Sequence, residues 1–230
     1  MSGALLPEAR PIMYSAGVLK GCRRPPDGKR EDSLDTKELL TILRTAAELK
    51  LQTRHCETAP GRRESVADHC WRLAFFAMLL RNEPAFGDTD MDKVIRMCLL
   101  HDMGEAFTGD IPAFLKTDAD AGKESALLEA WFRSLPSEIG TEYGALWREM
   151  EALETPEAKT YKALDKLEAV ISHNESDIST WLPLEYDLQQ TYGREECAFS
   201  PYFRALFDDV GQWTRAKIEA EGPTGAGEGT

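Results

Sequence analysis

The side chains best suited to chemistry in this sequence lie at the end of an apolar run, where His101 is followed directly by Asp102. Two more carboxylates, Glu105 and Asp110, follow within nine residues. The apolar residues between Val94 and Met103 predict a buried segment, in which a polar group is costly unless a partner satisfies it. A metal ion would satisfy both His101 and Asp102. The alternative is a hydrogen-bonded core histidine beside an aspartate at a helix end.

The chain has four histidines, at positions 55, 69, 101 and 173. Metal sites in helical proteins collect ligands from several helices that point inward, so the ligands can be far apart in sequence. His69 precedes His101 by 32 residues, the span of one antiparallel helix pair with its connection. The two rings could therefore face each other. Asp165, on a later helix with an otherwise apolar inner face, offers a fourth ligand beside Asp102.

Helices must position these side chains, because apolar residues recur with helical spacing and no segment of useful length alternates with the period of a strand. We therefore predict an all-α fold. The predicted helices cover about residues 35–54, 65–80, 90–101, 124–134, 137–153, 156–179, 181–192 and 201–220. A further helix is predicted to begin at Asp110, which would cap it ahead of Pro112. That cap gives Asp110 a structural alternative to a chemical role.

Composition sets the class of protein. The chain of 230 residues is 42% hydrophobic and has no repeat. We predict one globular domain over residues 33–221, between an extended or disordered arm at 1–32 and a glycine-rich disordered tail at 222–230. The net charge of -13 argues against a nucleic-acid polymer as partner, because such binding requires a basic face. A small phosphate ester is still allowed, since it needs only local cations and a metal.

The five cysteines are scattered and form no Cys-x-x-Cys pair. Neither a zinc knuckle nor a disulfide frame is indicated, so we predict reduced thiols in a cytoplasmic protein. The longest apolar stretch, near residues 73–80, is far shorter than the roughly 20 residues that span a bilayer. The first residues also lack the apolar core of a signal peptide. We therefore expect a soluble protein with no membrane partner.

Three stretches of the sequence resemble a known family. They are Ser65-Val-Ala-Asp-His69, His101-Asp-Met-Gly-Glu-Ala-Phe-Thr-Gly-Asp-Ile-Pro112 and Lys162-Ala-Leu-Asp165. Together they are similar to the three motifs of the HD-domain phosphohydrolase superfamily, in its 5'-deoxynucleotidase-like branch. The second stretch is fairly specific, whereas the third alone would be weak. The resemblance runs from about Thr36 to Tyr192 and implies a single HD-domain helical bundle with a mononuclear metal site.

By this resemblance, one divalent metal ion is held by His69, His101, Asp102 and Asp165. Imidazole and carboxylate ligands suit Mn²⁺, Fe²⁺, Co²⁺, Zn²⁺ or Mg²⁺, with water in the open positions. Members of the superfamily with two metals draw extra histidines from between the His-Asp pair and the last aspartate. This chain has no histidine from 102 to 164, which favours a single metal.

A metal site of this kind can polarise a phosphoryl oxygen and activate a bound water for attack on phosphorus. The reaction also needs groups that move protons. Glu105 lies four residues after His101, on the same face if the helix continues, and can orient or deprotonate the water. Asp110 is the partner carboxylate and could protonate the leaving alkoxide if its pKa is raised. The alternatives are a surface role for Glu105 and the helix cap for Asp110.

Arg54 lies where the related bacterial deoxynucleotidases carry an arginine that binds the phosphate, and a guanidinium fork matches that ligand. We favour it over Arg62 and Arg63, which a solvated loop would also explain. In the bacterial enzymes a tryptophan follows this arginine, but this chain has His55. The smaller ring can hydrogen-bond, which puts a preference for 2'-deoxy sugars in doubt.

Two polar groups beyond the motifs are open to several interpretations. Lys116 would assist in phosphate binding or simply be solvated. The residues at 173–175, His-Asn-Glu, lie two turns beyond Asp165. They fit a role at the edge of the substrate, a role in supporting the ligands, or a polar interface between subunits.

The implied activity is removal of the 5'-phosphate from (deoxy)nucleoside monophosphates by a metal-activated water. The same ligands would serve a hydrolase that releases triphosphate or pyrophosphate from a (deoxy)nucleoside triphosphate. A non-catalytic nucleotide-binding HD protein is a third possibility, although the presence of both Glu105 and Asp110 speaks against it. The expected partners are a small-molecule nucleotide and, by resemblance, a second copy of the chain in a homodimer.

Overall fold

The computed structural model describes residues 34–222, and most of these residues are helical. The predicted arm at 1–32 lies outside the described residues, as does the predicted tail at 222–230 apart from its first residue. The helices are α1 (Thr36–Glu48), α2 (Val66–Leu80), α3 (Met91–Leu100), α4 (Glu105–Thr108), α5 (Asp118–Ser134), α6 (Ser137–Ala152), α7 (Pro156–Glu175), α8 (Glu185–Leu188), α9 (Arg194–Cys197) and α10 (Pro201–Glu221). The predicted helical fold is confirmed.

One element departs from the prediction that no strands form. Strands β1 (Thr53–Ala59) and β2 (Arg62–Ser65) pair as an antiparallel hairpin, where we expected the end of a helix and a loop. Pro60 and Gly61 form the turn, and Gly61 has a φ of 73°, which a glycine adopts without steric cost. A Pro-Gly pair suits such a turn. The strands are too short and irregular to show the alternation of apolar and polar residues that identifies a strand in a sequence.

The hairpin has an irregular register that matters for the site. Thr53 pairs with Ser65 and Glu57 with Arg63, so four residues of β1 span the same distance as two residues of β2. Bulges of this kind re-aim side chains. As a result, one pocket is lined by three consecutive residues of β1, Arg54, His55 and Cys56.

Three helices form the scaffold of the core. Helix α2 packs against α3, and both pack against α7. Their apolar faces are almost completely buried at Leu73, Met97 and Leu164. Ser65 and Thr155 fix where two of these helices begin, because each side chain accepts a hydrogen bond from the backbone amide of the third residue of its helix. The site residues on these helices are therefore held by packed elements.

Several predicted boundaries are wrong. No helix begins at Asp110, because residues 109–117 form an extended segment and a turn. The next helix, α5, begins at Asp118, six residues before the predicted start at 124, because Thr117 and Asp120 form a capping box. Helices α1 and α7 end earlier than predicted, and only Glu185–Leu188 is α-helical between 181 and 192. The structural alternative for Asp110 is thereby removed.

Within residues 34–222, no helix is both long and apolar enough to cross a membrane. The cysteines at 56, 70, 98 and 197 are buried and unpaired, in keeping with the prediction of free thiols for this part of the chain.

Candidate metal centre

The four residues expected to bind a metal converge at one point in the core. His69 is on α2, His101 directly follows α3, Asp102 is the next residue, and Asp165 is on α7. The Nε2 atom of His69 lies 3.2 Å from Nε2 of His101 and 3.3 Å from Oδ1 of Asp165. Asp102 Oδ2 lies 3.0 Å from Nε2 of His101 and 3.8 Å from Nε2 of His69. Four potential donor atoms thus surround one small volume.

The second nitrogen of each imidazole shows which atom is free to bind a cation. Nδ1 of His101 lies 2.9 Å from the carbonyl oxygen of Cys98, and Nδ1 of His69 contacts the carboxylate of Glu168. Both partners are acceptors, so both rings carry a proton on Nδ1 and turn the Nε2 lone pair toward the other ring. Two lone pairs and two carboxylates at this separation repel one another unless a positive charge lies between them. The donor set therefore fits a metal ion.

The charges around the cluster lead to the same conclusion. Burial opposes ionisation of Asp165, yet Lys162 and the two histidines hold the pKa of its carboxyl well below the usual range. Burial also disfavours the charged form of His69, and Glu168 and Asp165 nevertheless raise the pKa of its ring. The surroundings thus keep the carboxylates ionised and favour positive charge at the centre of the cluster.

A buried polar network behind His69 was not predicted as part of the site. Glu168 accepts a hydrogen bond from Nε of Arg72 at 2.6 Å while its other oxygen contacts His69. Arg72 also donates to Ser172 at 2.6 Å, and Ser172 donates to Glu64 at 2.7 Å. Spacing gave a signal that could have found two of these residues. Arg72 is three residues after His69, and Glu168 is three residues after Asp165, which places each pair on one helix face.

Glu105 lies in a short helix of its own and not on a continuation of α3. The amide of Glu105 donates to the carbonyl of Asp102 at 3.0 Å, so a tight turn separates the two helices. The side chain is 7% exposed, and its Oε2 atom has no hydrogen-bond partner within residues 34–222. Burial, with repulsion from Asp102 and Asp110, raises the pKa of Glu105 to about 10. Such a group is suited to exchanging a proton with a ligand.

Asp110 lines the pocket together with Arg54. Burial raises the pKa of Asp110, although Arg54 opposes that shift. Arg54 pairs through Nε with Glu64 at 3.3 Å, and neither of its Nη groups has a hydrogen-bond partner among the described residues. A guanidinium held at one edge and open at the other can bind an anionic ligand.

The remaining predicted residues have clear positions. His55 lines the same pocket as Arg54. Lys116 pairs with Glu124 at 2.6 Å and does not line that pocket. Of the three residues at 173–175, His173 lines the pocket, while Asn174 is buried and donates to Thr214 on α10 at 3.0 Å. Glu175 contacts Arg72, which belongs to the buried polar network behind His69.

Comparison with known proteins places this geometry in context. A family model described as HD domain matches residues 46–206. The 5'-deoxynucleotidase HDDC2 of Xenopus laevis is 35% identical over 139 residues, which cover 59% of this chain and 67% of that protein. The Homo sapiens 5'-deoxynucleotidase HDDC2 is 32% identical over 143 residues, with 60% and 68% covered. A solved structure from Magnetospirillum magnetotacticum MS-1, described as a predicted metal-dependent phosphohydrolase, superposes with a TM-score of 0.60 at 29% identity and covers 77% of this chain and 95% of that one.

Proposed function

Because the chain belongs to the HD domain family, we propose that it is a metal-dependent phosphohydrolase that removes the 5'-phosphate from nucleoside 5'-monophosphates. The observation that carries the proposal is the convergence of His69, His101, Asp102 and Asp165, with Nε2 of each histidine facing the other ring. The relatives that bear the name 5'-deoxynucleotidase support the choice of substrate class.

A divalent cation held by these four residues would polarise a phosphoryl oxygen, lower the pKa of a bound water and offset the repulsion that Asp102 exerts on Glu105. Glu105, once ionised, then accepts a proton from the attacking water. The oxygen of that water forms a bond to phosphorus as the bond from phosphorus to the 5'-oxygen breaks. Asp110 gives a proton to the departing oxygen, a role that suits its raised pKa.

Arg54 is proposed to bind the phosphate from the side of the pocket. Its Nε lies 3.3 Å from the carboxylate of Glu64, and its Nη groups have no hydrogen-bond partner among the described residues. Attraction from Glu168, Glu64 and other carboxylates raises the pKa of Arg54 despite its burial, so it stays charged. Lys116, in contrast, already has its charge matched by Glu124. A direct role for Lys116 in binding phosphate stays a prediction.

The proposal is tested by a substrate panel with metal-stripped protein reconstituted separately with Mn²⁺, Co²⁺ and Mg²⁺. Release of inorganic phosphate is measured from nucleoside 5'-monophosphates, and release of triphosphate or pyrophosphate from nucleoside 5'-triphosphates. We expect turnover of the monophosphates, and loss of both metal and activity in Asp102→Ala. Turnover of triphosphates alone would contradict the proposal. Tight nucleotide binding without any turnover would instead identify a non-catalytic binding protein.

Two further expectations belong to this proposal, a cytoplasmic location and a homodimer. Sedimentation equilibrium measures the second directly, and a monomer at the concentrations of the activity assay would contradict it.

A further inference from the structure

The pocket that Arg54 and Asp110 line is also lined by a group of polar side chains that the proposed chemistry does not use. These side chains belong to His55 on β1, His173 on α7, Glu185 on α8 and Gln189 just after α8. A ligand whose phosphate lies at Arg54 would therefore extend its other end toward this group.

Glu185 is the centre of the group. It is 1% exposed, and its Oε1 atom lies 3.0 Å from Nε2 of His173. Its Oε2 atom accepts a hydrogen bond from the amide of Leu182 at 2.7 Å. Burial opposes ionisation, but these hydrogen bonds hold the pKa of Glu185 below its usual range. The pocket thus contains a buried carboxylate that is fixed in place and ionised.

The ring of His173 is held as firmly as the carboxylate. Its Nδ1 atom lies 3.1 Å from the carbonyl oxygen of Ala169, while Nε2 faces Glu185. Both neighbours are hydrogen-bond acceptors, so the ring is fixed from two sides. His173 and Glu185 thus lie side by side in the pocket wall.

Two buried polar atoms beside His173 and Glu185 have no partner among residues 34–222. They are Nε2 of His55 and Oε1 of Gln189. The first lies 3.4 Å from Oε2 of Glu185 without the geometry of a hydrogen bond. Buried polar atoms in folded proteins are nearly always paired, and these two belong to side chains that line a pocket. They are therefore suited to hydrogen bonds with a ligand.

We propose that His55, Glu185 and Gln189 bind the hydroxyl groups of a ribose, so that ribonucleoside 5'-monophosphates are the preferred substrates. A ribose diol donates hydrogen bonds to a carboxylate and exchanges them with a neighbouring imidazole and amide. Carboxylates bind ribose hydroxyls in the same way in dinucleotide-binding folds. A deoxyribose lacks one of these hydroxyls and would leave buried polar atoms unpaired, which penalises it. This inference rests on the proposed function and specifies its substrate.

The first test compares kcat/KM for base-matched pairs of substrates, such as AMP and dAMP, on the metal-loaded enzyme. We expect the ribonucleotide to be favoured by about tenfold or more, the range for a hydrogen bond to a charged group. Equal turnover, or a preference for the deoxynucleotide, would overturn the inference while leaving the proposed function intact.

Variants connect this preference to the polar group. Glu185→Gln keeps the shape of the side chain and removes its charge, and His55→Phe removes the ring nitrogens. For each variant, the ratio of kcat/KM for AMP to kcat/KM for dAMP is expected to fall by about tenfold, toward one. The matched control is Glu195→Gln, on the exposed face of α9, for which the ratio should equal that of the wild type. If Glu185→Gln fails to fold, the His55→Phe result decides, and an unchanged ratio in that variant would overturn the inference.

A binding measurement separates this inference from the proposed function. Calorimetry with adenosine and 2'-deoxyadenosine requires neither metal nor turnover. We expect adenosine to bind more tightly by a similar factor. A protein that prefers adenosine but hydrolyses no monophosphate would refute the function alone. Equal binding of both nucleosides, together with equal turnover of both nucleotides, would refute the inference alone.

Discussion

At the scale of single residues, the site depends on side chains whose charge is controlled by their neighbours. The rings of His69 and His101 are held in one tautomer by Glu168 and by the carbonyl of Cys98. The carboxyl of Glu105 is not held in this way, because its buried Oε2 atom has no hydrogen-bond partner among the described residues. The histidines proposed to bind a cation are thus already paired through Nδ1, whereas the residue proposed to move a proton is open to a ligand.

Glu105→Gln tests the role of Glu105 in proton transfer. The variant preserves the shape of the side chain and leaves the four proposed ligands untouched, so the metal content should not change. Turnover should fall by about 10²- to 10⁴-fold, the usual contribution of a general base. Metal content is measured by elemental analysis and kcat by phosphate release, with the exposed Glu138→Gln on α6 as control. Full activity in Glu105→Gln would show that another group activates the water.

The same carboxyl predicts a pH dependence of stability in the metal-free protein. Burial, with Asp102 and Asp110, raises the pKa of Glu105 from 4.5 to about 10. A raised pKa means that the folded chain binds the proton more tightly, so this stabilisation is full below pH 4.5 and is lost as the pH rises toward 10. Glu105→Gln has no such loss. The difference in Tm between variant and wild type should therefore increase with pH across this range, and a constant difference would contradict the assignment.

Glu168→Gln tests the network behind His69. The amide keeps the volume of the carboxyl but weakens its hold on Nδ1 of His69 and on Arg72. Groups that orient a metal-binding histidine typically contribute 10- to 100-fold in metal affinity, so we expect a loss in about that range. Calorimetric titration with Mn²⁺ measures it, and Glu154→Gln, exposed after α6, is the control. Unchanged metal affinity would mean that Glu168 serves folding only.

At the scale of elements, short irregular segments position several of the proposed catalytic and binding residues beside the packed helices. The turn between α3 and α4 brings Glu105 next to Asp102, and the bulged strand β1 turns Arg54 and His55 into one pocket. Helical spacing predicted the helices that carry His69, His101 and Asp165. It could not predict the hairpin, because a bulge disrupts the alternation that identifies a strand. It also suggested a helix at Asp110 from a local capping signal that the fold does not use.

Gly109→Ala tests the segment that carries Asp110. Gly109 has a φ of 79° and a ψ of 164°, a region that is essentially restricted to glycine and costs other residues about 1–3 kcal/mol. Its added Cβ would also lie 3.3 Å from Oε1 of Gln52. We expect a lower Tm, measured by calorimetry, and reduced kcat because the backbone at Asp110 shifts.

The matched control for this change is Gly122→Ala. That glycine lies within α5, and a Cβ there would meet nothing within 4 Å. Alanine should therefore stabilise the helix by about 0.5–1 kcal/mol without affecting kcat. If both alanine variants behaved alike, the conformation at Gly109 would not matter for the site.

At the scale of the whole molecule, apolar periodicity predicted the fold class, because it is a local signal. The set of four proposed metal ligands came from the resemblance to the HD motifs. The contact of His173 with Glu185 was not predictable, since it joins α7 to a short helix of four residues that shows no periodicity. Glu64, buried on β2, was overlooked for a similar reason. Long-range pairs of polar residues leave no pattern in a single sequence.

The central claim is that one metal, bound by residues on α2, directly after α3 and on α7, enables hydrolysis of a nucleoside 5'-monophosphate. The most direct test titrates metal-stripped protein with Mn²⁺ while phosphate release from AMP and dAMP is followed. Activity should be absent without metal, rise in proportion to added Mn²⁺ and level off at one equivalent, and Asp102→Ala should remain inactive throughout. Undiminished activity in the fully stripped protein, or a plateau only at two equivalents, would contradict this account.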